Sequence, residues 1–361
     1  MAAGFALIAL GLATAGPAGA ARLSLSGRTA PSATICCSVS AVAATSASNA
    51  WAVGRGPRTV ILHWNGTTWK RVPSPGQAYS TYLVSVAAIS AGDAWAVGYT
   101  SSRAGRDALL ILHWNGTVWK QVPSPNPSVG TVLDGVAGTS SDDAWAVGYT
   151  GTGPSTCGRC TTLILHWNGT TWKRVPSPDP SVGSVLDGVA VTSAGNAWAV
   201  GSTSRLAGST LILHWTGTAW KRVPSPDPPG GGTLTGVAAS SARSGWAVGY
   251  NQGGTLILRW NGKAWKRVPS PNPAAGVLEG VAATSVGNAW AVGSNDSGNT
   301  LILHWTGTAW EKVRSPNPTP DHGENLTGVA AASARNAWTV GYAGGGGQAL
   351  IARWNGVSWT T

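Results

Sequence analysis

Tryptophan spacing constrains this chain more tightly than any other feature. The 361 residues include 21 Trp, and all of them fall into three series. The first lies in the motif A-W-A-V-G or a close variant: Trp51, Trp95, Trp145, Trp198, Trp246, Trp290 and Trp338. The second closes an L-I-L-H-W-type run: Trp64, Trp114, Trp167, Trp215, Trp260, Trp305 and Trp354. The third follows a short polar turn: Trp69, Trp119, Trp172, Trp220, Trp265, Trp310 and Trp359. Trp51 and Trp338 lie 287 residues apart across six intervals, a period of about 48. That period belongs to repeat architectures, in which each unit buries its apolar surface only against its neighbours.

Each copy holds four short runs of β character. In the second copy they are residues 83–89, 94–98, 109–114 and 117–122. The first run is rich in Val, Ala and Gly, sizes that suit a crowded inner strand. In the third, Ile111 and His113 alternate with Leu112 and Trp114, so Leu112 and Trp114 share a face. Asn115-Gly116 separates the third and fourth runs, and Asn-Gly is a hairpin signal because type I′ turns need positive φ at both central residues. A two-residue turn sets Trp119 opposite Leu112, on the face that carries Trp114. Four antiparallel strands in seven copies predict an all-β fold, a seven-bladed β-propeller.

Composition agrees. Charged residues make up 10 % of the chain, Gly numbers 50, and there is one Met and one Phe. No run has helical periodicity, which excludes helix bundles, coiled coils and alternating β–α folds. The 43 % hydrophobic share is too high for a disordered chain. There is no Trp-Asp dipeptide and no regular Gly-Gly pair after the second run, so the WD and kelch patterns are not matched.

The succession A-W-A-V-G, then L-I-L-H-W-N-G-T-T-W, resembles the repeat of secreted bacterial propellers related to photosystem-II assembly factors and sialidase-type Asp-box proteins. The resemblance runs from Ser38 to Trp359 and implies shared architecture. The turn differs: it is shorter and lacks the Asp, with Asn65, Asn115, Asn168, Asn261 and Asn355 there, and Thr216 and Thr306 in two copies.

Residues 5–13 are apolar, and Ala18-Gly19-Ala20 has the small-residue form of a signal-peptidase site. Residues 1–20 therefore read as a signal peptide or, uncleaved, as a membrane anchor, since residues 2–21 carry no charge and are long enough to span. Their Gly, Ala and Pro17 content favours cleavage, and with it a secreted, extracellular location. Residues 21–37 form an N-terminal segment, of which residues 22–26 are placed to complete the short last outer strand and close the ring; residues 38–361 are the propeller. Cys157 and Cys160 share a variable loop and are a candidate disulfide of an exported protein, while Cys36 and Cys37 have no assigned partner. No metal site and no cofactor are expected.

Five histidines (63, 113, 166, 214 and 304) hold one repeat position, occupied by Arg259 and Arg353 in the other two copies, so they read as structural. His322, with Asp321 and Glu324 nearby, lies outside that pattern and is a weak ligand-binding candidate. Asp134, Asp187 and Glu279 share an inner-strand position with Ser40, Val84, Thr235 and Thr327, a ring expected to face the central channel. The arginine cluster and Tyr–Glu pair that sialidase action needs are not legible, nor is a G-x-S-x-G, H-E-x-x-H or Walker motif; no catalytic residue is assigned. Net charge is +11, with Lys and Arg concentrated on the fourth run, where cations guard an exposed strand edge or attract anionic polymer.

In an up-and-down blade, the loops joining strands two to three and four to one share one face, and here those loops vary in length. A binding site is expected on that face. Candidate ligand-binding residues there are Tyr99, Arg103, Arg106, Tyr149, Arg159, Arg205 and Tyr250. The expected function is an exported, non-enzymatic binding or interaction scaffold. Its expected partners are glycan, anionic cell-envelope polymer or protein, without nucleic acid, and with membrane contact only if residues 2–21 are retained. The chain is expected to be a monomer. Alternatives are an Asp-box-type glycan hydrolase or lyase, and a multivalent lectin with one site per blade.

Overall fold

In a computed structural model, the described residues are 38–361 apart from 57–58, 76–79, 102–106, 126–129, 152–159, 179–180, 205–207, 272–274, 319–322 and 345–347. The expected signal peptide, the ring-closing residues 22–26, and Cys36 and Cys37 lie outside them. The described residues contain 28 β-strands and no helix. The first blade is β1 (Ser38–Ser46), β2 (Asn49–Arg55), β3 (Val60–Trp64) and β4 (Trp69–Arg71), each antiparallel to the next. The second is β5 (Ser80–Ser90), β6 (Asp93–Ser101), β7 (Asp107–Trp114) and β8 (Trp119–Gln121). One bridge, Arg55 to Tyr82, links these two sheets, and five further four-stranded sheets follow in chain order. This is a seven-bladed β-propeller.

The turn between strands three and four differs from what the sequence predicts. Trp114 pairs directly with Trp119, so the connection is four residues long rather than two. The side chain that opens the turn supports it: the Asn115 Oδ1 accepts hydrogen bonds from the Thr117 and Val118 amides at 3.1 and 3.0 Å. Where Thr216 and Thr306 replace Asn, the hydroxyl donates to the Ala219 or Ala309 carbonyl at 3.3 Å in a connection of the same length. Only the following glycine needs positive φ, between 87° and 101° in all seven blades. The slip is two residues, so every side chain keeps its face.

Seven apolar clusters lie between consecutive blades, and the seventh joins the last blade to the first. The A-W-A-V-G strand explains their form. Its Trp and Val face the next blade, while its alanines face the previous one: Trp51 and Val53 meet Ala94 and Ala96. Trp95 and Val97 meet Ala144 and Ala146 in turn. Large side chains against small ones fill each joint and give the ring a direction. At six joints a first-series indole meets the third-series indole of the next blade edge to face, with centroids 5.0–5.2 Å apart and planes at 79–90°.

Every second-series indole N–H donates to a backbone carbonyl in its own blade's first turn, at 2.9–3.2 Å. One tryptophan series thus ties blades together and another pins the turns. The glycine of A-W-A-V-G has a separate cause. It faces a bulge in the inner strand, and an added Cβ would lie 1.9–2.1 Å from an inner-strand carbonyl oxygen in every blade.

Candidate binding face

All seven inner-strand positions read as a ring line one cavity of about 460 Å³. The same cavity takes in Val185 and Thr233 from inner-strand starts, and Ser202 and Tyr250 from second-strand ends. These ends lead into the variable loops, so the cavity belongs to the channel mouth on the variable-loop face. Its chemistry is acidic, with Asp134, Asp187 and Glu279, although the whole chain is basic. Burial raises the Glu279 carboxyl above its ordinary value, and a hydrogen bond with Asn325 opposes the rise. The ring threonines serve the scaffold: Thr235 Oγ1 donates to the Leu278 carbonyl at 2.7 Å, and Thr327 Oγ1 to that of Val39 at 3.1 Å, each in the next blade. Among the described residues, no group of three His, Cys, Asp or Glu is arranged to hold a metal ion.

The candidate residues separate on burial. Tyr250 lines the cavity and is 36 % exposed. Tyr99 is half-buried and stacks on Tyr82, with centroids 4.9 Å apart. Tyr149 is 1 % exposed and packed with Val132, Val185 and Cys160, so it is buried where the sequence expects a ligand contact. Cys160 is disulfide-bonded, and Cys157 lies outside the described residues. Arg103, Arg106, Arg159, Arg205 and His322 also lie outside them. Glu324, near His322 in sequence, is buried.

The repeated histidines are structural, by a contact that their spacing alone does not reveal. Each stacks on the first-series indole of its own blade, with centroids 4.0–4.3 Å apart and planes within 16–28°. Its Nε2 meets an Asn or Asp side chain at the start of the second strand, at 2.7–2.8 Å: Asn49, Asp93, Asp143, Asn196 or Asn288. The signal that could have found this partner is the Asn or Asp standing two residues before the first-series Trp in every blade but the fifth, which has Ser244. The fourth-strand cations of the WKR segments are exposed on strands only three residues long, which keeps the outer edges short and charged.

No protein-family model matches the chain, and no curated protein is detectably similar to it. Solved structures share its fold. YCF48 bound to a D1 peptide is 17 % identical with a TM-score of 0.60, covering 89 % of this chain and 94 % of that one. YCF48 from Cyanidioschyzon merolae is 16 % identical with a TM-score of 0.58, covering 90 % of this chain and 97 % of that one. The BP39L lectin from Burkholderia pseudomallei is 15 % identical with a TM-score of 0.58, covering 91 % and 98 %. At these identities the likeness establishes architecture. It matches the expected resemblance to photosystem-II assembly factor propellers.

Proposed function

We propose that this chain is an exported, non-enzymatic binding scaffold that engages glycan or protein through its variable-loop face. The observation that carries this reading is the cavity of about 460 Å³ at the channel mouth, edged by the exposed Tyr250. Cavities of this size accommodate a sugar ring or a peptide side chain. Structural neighbours include a propeller solved with a peptide and a lectin, which makes binding a use this architecture supports. A lectin with equivalent sites in every blade is disfavoured, because the channel position is Ser, Val, Asp, Asp, Thr, Glu and Thr around the ring. Export rests on residues 1–20.

The test is glycan-array and peptide-array binding by the full chain, repeated with Tyr250→Ala. Saturable binding weakened at least severalfold by Y250A supports the channel mouth. Binding that is unaffected by Y250A, or turnover in a hydrolase screen, overturns this reading.

A further inference from the structure

A second cavity of about 530 Å³ lies at the outer side of the sixth blade, between its loop from strand two to three and its outer strand. Its lining is rich in donors. Lys312 and Arg314 are exposed cations that meet no carboxylate among the described residues. The Asn317 Oδ1 is engaged by the Thr300 amide at 3.0 Å and hydroxyl at 2.6 Å, and the Asn295 Oδ1 by the Ser297 and Asn299 amides at 3.0 and 2.9 Å. Both carboxamides therefore have their acceptors committed and their NH₂ groups left to donate. The Asn299 Oδ1 is the exception, a buried acceptor that receives no hydrogen bond.

The cavity coincides with a break in the repeat. Where the sixth blade has Arg314, the first five have Pro73, Pro123, Pro176, Pro224 and Pro269. Proline has neither charge nor N–H, so among these six blades the sixth alone carries a cation at that place. In the first blade, the residue corresponding to Lys312 is Arg71, which reaches the Thr59 carbonyl at 3.1 Å.

We propose that this cavity binds an acidic saccharide unit, its carboxylate on Lys312 and Arg314 and its hydroxyls among Asn295, Asn299 and Asn317. The size suits one or two sugar rings. Two cations call for an anionic group, and the carboxamides of Asn295, Asn299 and Asn317 along the same lining call for further polar partners that a bare anion lacks. A sugar acid supplies both. The lining has one apolar side chain, Val313, which offers little to an acidic peptide. The proposal rests on the variable-loop face being a binding surface and adds a second site with its own ligand class.

Calorimetric titration of the full chain with trigalacturonate tests it, with neutral galactotriose and inorganic phosphate as controls. R314P restores the residue that five other blades carry at this position, and its melting temperature serves as a folding control. K312Q and N299A provide independent variants. The expected result is binding of trigalacturonate at least tenfold tighter than galactotriose, weakened at least tenfold by R314P and by K312Q, and weakened by N299A. Unchanged affinity in R314P and K312Q overturns the site, as does failure of the wild-type chain to bind trigalacturonate. Phosphate binding with equal affinity overturns the saccharide assignment. Array ligands that bind and are lost in Y250A, with trigalacturonate ignored, sink this site while leaving the channel-mouth reading intact.

Discussion

Trp338 of the last blade and Trp64 of the first both lie against the Arg353 guanidinium, whose carbon is 5.3 Å from one ring centroid and 5.2 Å from the other. Arg353 also donates to Asn336 Oδ1 at 3.0 Å. The joint that closes the ring is thus built like the internal joint in which Arg259 sits between Trp246 and Trp305, at 5.2 and 5.0 Å. Among the described residues, the first and last blades do not exchange a strand.

Arg353→Ala removes a partly desolvated cation–π contact, worth about 0.5–2 kcal/mol, and a hydrogen bond of about 1 kcal/mol. Denaturant unfolding is expected to show a loss of about 1–3 kcal/mol. Arg353→His should recover part of it, because five blades use His at this position. Equal midpoints for R353A and wild type would mean that the joint gains nothing from this side chain.

Gly201 and Gly195 separate two kinds of glycine. A Cβ on Gly201 lies 2.1 Å from the Val185 carbonyl oxygen, whereas one on Gly195 meets nothing within 4 Å. Gly201→Ala must push the inner strand off its bulge, and a cost of about 2 kcal/mol or more is expected from overpacking. Gly195→Ala should stay within about 1 kcal/mol of wild type, with unfolded-state entropy favouring Ala. Urea midpoints of the two variants check the contrast, and similar values for both would refute it.

The joints are legible in the sequence because indole spacing repeats and because Leu112 and Trp114 must share a strand face. The channel ring is legible too, since Asp134, Asp187 and Glu279 align once the repeats are superposed. The turn length is not, because Asn115 can serve a two-residue hairpin or cap a four-residue loop, and only the pairing of Trp114 with Trp119 decides. Tyr149 misleads for a different reason. Loop membership predicts exposure, but Tyr149 stands on the second strand of its blade and is buried against Val132, Val185 and Cys160. The sixth-blade cavity is not legible, since Asn295 and Lys312 lie 17 residues apart and only the folded blade brings them together.

Acid should weaken the joints. Burial lowers the imidazole pKa of His63, His214 and His304 below 6.5, with Glu311 opposing the shift at His304. Unfolding restores the ordinary value, so between the two values the unfolded chain binds more protons. The stability these residues contribute is complete above about pH 6.5 and is lost as pH falls toward the folded value. Melting temperature is therefore expected to decline as pH is lowered through that range. His214→Arg places a group there that does not titrate, and a pH slope identical to wild type in H214R would remove His214 from this account.

Glu279 has the opposite sign. Burial raises its pKa above 4.5, so the folded chain holds the proton more tightly than the unfolded one. Its favourable contribution is present below about pH 4.5 and is lost as pH rises through the folded value, so at higher pH the desolvated carboxyl counts against the fold. Glu279→Gln keeps the shape and a hydrogen-bonding partner for Asn325 while removing the charge. E279Q should therefore melt higher than wild type at pH 7, with the gain shrinking toward zero as pH approaches 4. A variant less stable than wild type at pH 7 would show that the carboxylate charge is itself held favourably in the channel, as a bound cation would hold it, and that this attraction outweighs the cost of burial.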